Sequence, residues 1–574
     1  MNAPSPAIVT QAAVRRFPRP VLLVFCLAYI LAGFVGREAW KSADMAALGF
    51  MQALADGTSA WLHPAMAGFV PEQPALLPYW LGAWAIQAGQ WLALPPDFAA
   101  RTPFAMLLAL TMVGTWYGTY YLARSPLAQP VAFAFGGEAP ATDYARTVAD
   151  GALLALMACL GLAHLSHETT PALAQLGFCA LLFFATAALP LRQRQAQAAA
   201  AIGACGLALC GAPAIALLLS GGAALLHAAD RHTENAASQP ASARYREALG
   251  LLLWAVVGAL AAAALDQWRW KIALPGWNLA AWQGLGELLV WFAWPAWPLT
   301  LWTLWRWRDR IVGKTLNRHL LVPLWFTTVT VVSSLLTGAS DRTLLLALPS
   351  LATLAAFALP TLKRQMAAWI DWFTLFFFSG CGIIIWVVWI AMQTGVPAQP
   401  AANVARLAPQ FQHSFSFATF LIAVCATLVW AWLVKWRVGK HRAALWKSLV
   451  LPAGGAGLCW LLLMTLWMPL LNHAQSYSAL VRNARLALSD SGTPADACIA
   501  VYTLPQGTVA ALRTYGGLTL QPLAAGTPCA WLATEALDNG EAPGWAEAAG
   551  WVPYRLVTNA VGHNEDFWLL QRQR

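Results

Sequence analysis

The stretch LVLPAGGAGLCWLLLMTLWMPLL, residues 449–471, contains no charged side chain. It is long enough for a helix that spans a membrane, which needs about 20 predominantly apolar residues. Two other runs, residues 21–35 and 380–392, are also uncharged. Because runs of this kind recur along the chain, the sequence predicts a polytopic α-helical membrane protein.

The composition of the whole chain has the same character. Of its 574 residues, 59% are apolar and 10% are charged, whereas about 25% of the residues of a soluble domain are charged. These values exclude an ordinary soluble enzyme. The formal net charge is +10, but the basic residues punctuate apolar segments and form no basic face, so no nucleic-acid partner is expected. Walker, GxGxxG and GxSxG motifs are absent from the sequence.

The basic clusters indicate how the chain crosses the membrane, since such clusters stay on the cytoplasmic side. The basic N-terminus is therefore inside, and residues 20–36 form a retained first helix without a cleavage pattern. Residues 75–94 mix Trp with Gln, which suits a helix at the interface. If this segment crossed the membrane, Arg124 and Arg192 would fall outside, so we interpret it as interfacial.

This choice predicts about thirteen spans. They are residues 20–36, 103–123, 147–166, 171–190, 197–210, 213–229, 248–265, 286–305, 319–337, 343–360, 369–392, 411–434 and 448–471. Residues 197–229 are interrupted at Gly211-Ala212-Pro213. This segment is either two short spans or one broken helix. The predicted domains are a transmembrane domain, residues 1–471, with an outer first loop, residues 37–102, and an outer domain, residues 472–574.

The outer domain is rich in Gly, Pro, Asp and Thr and is predicted to be α/β. Its expected strands are residues 498–502, 529–532 and 567–570, and its expected helices are residues 476–488 and 508–514. Cys498 and Cys529 are the only cysteines predicted outside the membrane. An oxidising compartment permits a disulfide between them, but the sequence does not show that the two sulfurs approach each other.

Several ionisable residues gather at the predicted outer face, where they are candidates for function. Asp44 lies in the first turn of a helix expected over residues 42–55, so it is either a helix cap or a catalytic carboxylate. His164, His167 and Glu168 lie at the end of the third span. They and Glu72 are candidate metal ligands, but the spacing is loose and a solvated loop edge is the alternative. Whether the protein binds a divalent metal is therefore left open.

Two further outer segments carry arginine. Arg269 and Lys271 are interleaved with tryptophans, which suits a phosphate beside a sugar or apolar surface, although interfacial tryptophans are often only anchors. Asp341-Arg342 closes the turn between the ninth and tenth spans. Arg342 can bind a phosphate there, and the alternative is an Asp–Arg pair that only fastens the turn.

Four stretches resemble a known family. They are GREAWKSAD at 36–44, PEQPALLPYW at 71–80, DRTLLLALP at 341–349 and LWMPLLNHAQSY at 466–477. In this order they resemble the GT-C class of membrane glycosyltransferases, and within it the bacterial branch of the lipid A aminoarabinose transferase and the dolichyl-phosphate-mannose protein mannosyltransferase-like proteins. The resemblance covers most of the chain.

The resemblance implies a bacterial inner-membrane enzyme whose active site and C-terminus face the periplasm. Its donor would be a polyprenyl-phosphate sugar and its acceptor a lipid such as lipid A, or a glycan. Asp44 would be the general base or would orient the acceptor, and Glu168 would match an acid at the end of the third span. Arg342, with Arg269, Lys271 and Lys41, would bind the donor phosphate.

The sequence departs from the aminoarabinose transferases at one motif. They have Lys after the motif Glu, where this chain has Gln73, and Ala75 with an extra residue replaces their Pro-Leu. Glu72 is kept, either to hold a metal, to orient the donor or to pair with a nearby cation. The sugar and the acceptor therefore stay open. Two other functions are a flippase for a lipid-linked sugar, which should have polar residues near the middle of the membrane, and an oligosaccharide ligase or polymerase.

Overall fold

The structure is a computed structural model. It describes residues 5–230, 240–268, 272, 279–313, 315–337, 340–438, 444–494, 497–524, 526–537, 540–559, 561 and 565–573. Helices α1 to α8 are Arg19–Phe34, Lys41–Ala55, Leu77–Gln90, Pro96–Ala123, Ala141–Ala158, Leu160–Leu165, Pro171–Ala188 and Gln193–Leu209. Helices α9 to α16 are Pro213–Ala229, Ala241–Ala264, Leu279–Phe292, Ala296–Arg306, Arg308–Ile311, Arg318–Leu336, Asp341–Leu344 and Leu348–Ala358. Helices α17 to α24 are Arg364–Thr394, Ala398–Leu407, Phe417–Val438, Lys447–Leu466, Met468–Gln475, Ser478–Asp490, Gln506–Thr514 and Gly544–Ala548.

Eight of the helices in the described part are long and apolar enough to cross a membrane. They coincide with eight of the predicted spans and lie at Pro96–Ala123, Pro171–Ala188, Ala241–Ala264, Arg318–Leu336, Asp341–Thr361, Arg364–Thr394, Phe417–Arg437 and Lys447–Leu466. The polytopic α-helical fold is thus confirmed. Two more predicted spans, α1 and α9, are shorter apolar helices.

The three remaining predicted spans differ for local reasons. The span over 147–166 is broken into α5 and α6 because the backbone at Cys159 is extended. The span over 286–305 is likewise divided into α11 and α12, which Pro295 separates. Helix α8 has 17 residues and is not among the apolar helices. The segments α6, α11 and α12 have 6, 14 and 11 residues, so none of the three can cross about 30 Å of hydrocarbon by itself.

The bundle has a buried centre and an apolar exterior. In the span over Asp341–Thr361, 89% of the apolar window is buried, whereas in Phe417–Arg437 only 11% is buried. The central helices α4, α5, α7 and α16 pack on one another. Several of their threonine hydroxyls donate hydrogen bonds to backbone carbonyls of the same helix. For example, Thr115 Oγ1 donates to the carbonyl of Thr111 at 2.7 Å, which satisfies the hydroxyl away from water.

The break between α8 and α9 has a packing role. Gly211 has φ of +85°, and a Cβ atom there would lie 2.0 Å from the carbonyl oxygen of Pro74. The backbone N–H of Leu76 also donates to the carbonyl of Leu209 at 3.0 Å. The loop that contains Glu72 therefore rests directly on this break. Helix α3, the segment predicted to be interfacial, has 14 residues, which at 1.5 Å per residue is too short to span.

The C-terminal domain is α/β, as predicted. Strands β1 to β5 are Cys498–Tyr502, Thr519–Pro522, Trp531–Glu535, Trp551–Val557 and Phe567–Arg572. They form one sheet in the order β2-β1-β3-β5-β4, in which β1 is parallel to β2 and β3 while β5 is antiparallel to both its neighbours. Cys498 and Cys529 form a disulfide with Cα atoms 4.9 Å apart.

The domain is fastened to the first loop of the bundle. Helix α23 packs on α2 so closely that a Cβ atom at Gly49 would lie 2.6 Å from the Cβ atom of Ala510. Asn472 Oδ1 accepts hydrogen bonds from the Trp40 indole at 2.8 Å and from the Glu38 backbone at 3.1 Å. The domain therefore lies over the N-terminus of α2. We call this end of the bundle the domain end.

Candidate active site

Helix α2 begins at the domain end, and its first turns contain the predicted polar residues Lys41 and Asp44. Its first residue, Lys41, has φ of +60°, a left-handed conformation that is strained for any residue except glycine. The Lys41 ammonium lies 3.3 Å from a carboxylate oxygen of Glu168 and 3.1 Å from Nε2 of His164. These contacts hold the strained residue in place.

Asp44 is buried at 1% exposure, and both of its carboxylate oxygens accept hydrogen bonds. Oδ1 accepts from the backbone N–H and the hydroxyl of Thr169 at 2.7 and 2.6 Å. Oδ2 accepts from the backbone N–H of Trp40 at 3.3 Å and lies 3.7 Å from the Arg37 guanidinium. Asp44 thus bonds back to the N-cap residue Trp40 of α2 and ties this helix to the turn after α6.

Arg37 is the buried cation beside this cap. It is 3% exposed, and its guanidinium lies 4.3 Å from the centre of the Trp40 ring. Burial lowers the pKa of Arg37 below its usual value, while the charges of Asp44 and Glu168 act in the opposite direction. The sequence offered no signal that this arginine, among the several polar residues of its loop, would be the buried one.

Glu168 joins residues from distant parts of the chain. Its carboxylate is fully buried and lies between two cations, because Oε2 is 3.1 Å from the Arg342 guanidinium and Oε1 is 3.3 Å from Lys41. The Asp341 carboxylate accepts a hydrogen bond from the backbone N–H of Arg342 at 2.7 Å. In the described part of the chain, the ion pair of Arg342 is therefore with Glu168, and no Asp341–Arg342 ion pair is formed.

The candidate metal ligands do not converge. His167 is buried beside Tyr29, Phe34 and Trp460, and its Nε2 lies 3.1 Å from the Tyr29 carbonyl. His164 instead contacts Lys41. Within the described part of the chain, no group of three or more His, Cys, Asp or Glu side chains is placed to hold a metal ion. The residues predicted as ligands therefore do not form a metal site in this arrangement.

Two neighbouring cavities share lining residues near the domain end, and one of them opens at the N-terminus of α2. The first, which we call the polar cavity, measures about 320 Å³ and is lined by Lys41, Ser42, Ala43, Ala46, Glu72, Arg342 and Gln506. The second, which we call the apolar groove, measures about 570 Å³ and shares Glu72 and Arg342 with the first. Its other lining residues include Ile215, Leu218, Val329, Val332 and Leu336. Lys41 and Arg342 thus line the polar cavity, and Arg342 also lines the apolar groove.

Helix geometry adds to the positive potential of the polar cavity. The N-terminal turn of α2 contributes three of its lining residues, and Gln506 is the first residue of α23. The partial positive charges at both helix N-termini therefore face the same space. Gln506 donates its amide to the Val70 carbonyl at 2.7 Å. This residue was missed by the sequence analysis, because nothing local marks a glutamine of the C-terminal domain as part of the site.

Of the predicted site residues, the structure brings Lys41, Glu72, Glu168 and Arg342 together. Asp44 lies behind them and lines neither cavity. Arg269 and Lys271 lie outside the described residues. Their neighbours Gln267 and Trp268 line the apolar groove.

Solved structures with the same architecture exist. One is ArnT from Cupriavidus metallidurans bound to undecaprenyl phosphate, with a TM-score of 0.56 and 11% identity. Another is the same protein in the apo state, with a TM-score of 0.57 and 12% identity. In both, the match covers 96% of this chain and 98% of the other.

This chain has the GT-C fold. No family model matches it, and no curated protein sequence does. At 11 to 12% identity the likeness concerns the path of the backbone. The GT-C fold here joins a polytopic bundle to a C-terminal domain over the polar cavity.

Proposed function

We propose that the protein is an inner-membrane glycosyltransferase that moves a sugar from undecaprenyl phosphate to an acceptor such as lipid A at the periplasmic face. The observation that carries the proposal is the junction of the polar cavity and the apolar groove at Glu72 and Arg342. A polyprenyl-phosphate sugar has the same division, with an apolar chain on one side of the phosphate and a polar sugar on the other.

The donor phosphate would lie between Lys41 and Arg342. In the ligand-free arrangement the Glu168 carboxylate occupies the space between these two cations. A phosphate bound at the mouth of the cavity would share the two cations with Glu168, and the helix N-termini of α2 and α23 would add to its stabilisation. Glu168 would then orient both cations and limit how tightly the product phosphate is held.

The prenyl chain would follow the apolar groove between α9 and α14. Burying apolar surface there contributes about 25 cal/mol per Å², and the break at Gly211 leaves the loop with Glu72 over the head of the groove. The ArnT structure bound to undecaprenyl phosphate supports a lipid donor of this class in a protein of the same fold.

In the reaction, an oxygen of the acceptor would attack the anomeric carbon of the sugar. The bond between that carbon and the phosphate oxygen would break, and the phosphate would leave with the electron pair, stabilised by Lys41 and Arg342. The proton of the acceptor needs a base. Glu72 is exposed and lines both cavities, so we assign it this role, and we assign Asp44 the role of positioning α2.

The orientation follows from charge and chemistry. Basic residues such as Arg308 and Arg437 lie in loops predicted to be cytoplasmic, and the disulfide of the C-terminal domain suits an oxidising compartment. Both features favour a periplasmic domain end in the bacterial inner membrane.

The first test is the affinity of the purified protein for undecaprenyl phosphate. Arg342→Gln removes one cation and should weaken binding about ten-fold or more, because a charge-assisted hydrogen bond contributes roughly 1.5–3 kcal/mol. Arg406→Gln, on the exposed helix α18, is the matched control and should bind as the wild type does. Unchanged affinity in Arg342→Gln would contradict the assignment of the phosphate site.

The second test is mass spectrometry of lipid A and envelope glycans from cells with and without the gene. Loss of one sugar mass from an outer-face product, restored by the wild type and not by Glu72→Gln, would support the transferase. Accumulation of a lipid-linked sugar at the inner face, with Glu72→Gln active, would contradict it and favour a flippase.

A further inference from the structure

A third cavity lies at the domain end, apart from the two that form the candidate active site. It measures about 800 Å³ and lies between α22, the start of α4 and the first loop. Its lining residues are Glu38, Asp97, Ser478, Val481, Arg482, Arg485, Leu486, Ser489, Thr514 and Tyr515. The volume lies within the range of small-molecule sites, roughly 300–1,000 Å³.

Two arginines define the chemistry of this cavity. Arg482 and Arg485 are three residues apart on α22, so they lie on one face of the helix. Both side chains are exposed, and within the described part of the chain neither guanidinium makes an ion pair or a hydrogen bond. Two free guanidinium groups on one wall are suited to a phosphate.

The opposite wall carries acceptors and a buried hydroxyl. Glu38 is held by a 2.6 Å hydrogen bond from Ser478, and Asp97 lies in the first turn of α4. The Thr514 hydroxyl is buried without a hydrogen-bond partner in the described residues. A ligand with hydroxyl or amine groups beside its phosphate would satisfy these side chains.

One apolar lining residue of the cavity is exposed, and so are two apolar residues in the link before α4. Leu486 lines the cavity and is 53% exposed, and the link that leads into Asp97 carries Trp91 and Leu92 with 91% and 73% exposure. Exposed apolar side chains next to a predicted interfacial helix suit the surface of a lipid bilayer. A ligand could therefore keep its acyl chains in the membrane while its headgroup enters the cavity.

We propose that this cavity binds the phosphate-bearing headgroup of a membrane lipid, with the phosphate on Arg482 and Arg485. The further assignment of that lipid as the acceptor rests on the proposed function. Glu38 lines this cavity and Lys41 lines the polar cavity, and three residues of extended chain span at most about 11 Å. The Cα atoms of these two lining residues are therefore at most about 11 Å apart, as an acceptor site beside a donor site requires.

The test uses the full chain in detergent and isothermal titration calorimetry with dioctanoyl phosphatidic acid as the probe. Arg482→Gln/Arg485→Gln should lower the affinity about ten-fold or more. Arg555→Gln/Arg572→Gln, a double change of the same charge elsewhere in the domain, should not lower it. Asp97→Asn should leave the affinity equal or tighter, because it removes a negative charge near the phosphate.

Equal binding by the wild type and the Arg482/Arg485 variant would overturn the proposal. Inorganic phosphate that binds as tightly as the lipid probe would overturn the assignment to a lipid headgroup. The Arg482/Arg485 variant should retain its affinity for undecaprenyl phosphate, since that phosphate binds in the other cavities. A failure of the donor assignment therefore leaves this result unaffected, and the two proposals are tested separately.

Discussion

Asp44 is a buried carboxylate whose oxygens accept three hydrogen bonds from Thr169 and Trp40. In Asp44→Asn the amide group must face at least one of these donors, so a buried donor loses its acceptor at a cost of roughly 1–3 kcal/mol. We expect a lower melting temperature together with lost turnover. Thr169→Val, which removes one donor and keeps the carboxylate, should show a smaller loss of both. Abolished turnover at an unchanged melting temperature would instead make Asp44 the base.

Glu72 is the carboxylate that faces both cavities. Glu72→Gln keeps the size of the side chain and removes its basicity, so turnover should fall about 10²- to 10⁴-fold, the usual contribution of a general base. The affinity for undecaprenyl phosphate should not fall, and Gln73→Asn is the neighbouring control. Turnover within a few-fold of the wild type would show that Glu72 is not the base and that another group has this role.

Single residues show where the sequence was informative. Asp44 and Arg342 are candidates because of their residue types and their places in the predicted topology, and Glu168 is also a candidate through the family resemblance. The partners of these residues could not be named, because Glu168 and Arg342 are 174 positions apart and only the packed bundle decides which charges meet. His164 and His167 have different surroundings for the same reason, since the burial of a side chain depends on neighbouring helices.

At the scale of elements, the start of α22 meets the segment before β5 through one hydrogen bond. The Tyr477 hydroxyl donates to Glu565. Burial raises the pKa of Glu565 above its ordinary value of 4.5, and the bond from Tyr477 reduces this shift. The folded state therefore binds more protons than the unfolded state between the two pKa values. The stability from Glu565 is present below pH 4.5 and is lost as the pH rises through the folded-state pKa.

The measurement is thermal unfolding of the full chain from about pH 4 to about pH 8. The melting temperature of the domain should fall over this range by less in Glu565→Gln than in the wild type. Glu535→Gln, an exposed residue at the end of β3, should follow the wild type. The same slope in both variants would contradict the pKa assignment.

Long apolar helices and short apolar strands could be predicted from the sequence, but the interruptions of the helices could not. Strand β1 begins and ends where predicted, at Cys498–Tyr502. Strands β2 and β4 were missed because each contains a proline, Pro522 and Pro553, which weakens a strand pattern. The breaks in the spans over 147–166 and 286–305 were missed because length and hydropathy do not report a local change of backbone conformation.

At the scale of the whole molecule, the C-terminal domain is part of the candidate site because α23 brings Gln506 to the polar cavity. The stability of the domain should therefore affect function. Its disulfide joins residues 31 positions apart, and closing a loop of that length stabilises by roughly 3–4 kcal/mol in the chain-entropy model. Cys498→Ser/Cys529→Ser should lower the melting temperature of the domain, and reductant should do the same to the wild type.

The double serine variant should also lose turnover near the melting temperature of its domain, while undecaprenyl phosphate still protects the bundle. Cys381→Ser/Cys425→Ser, which changes two unpaired cysteines of the bundle, is the matched control. It should keep both the melting temperature of the domain and the turnover of the wild type. If the serine variant kept full turnover above the temperature at which its domain unfolds, the polar cavity would function without α23. Gln506 would then have no part in the site, and the bundle alone would hold the chemistry.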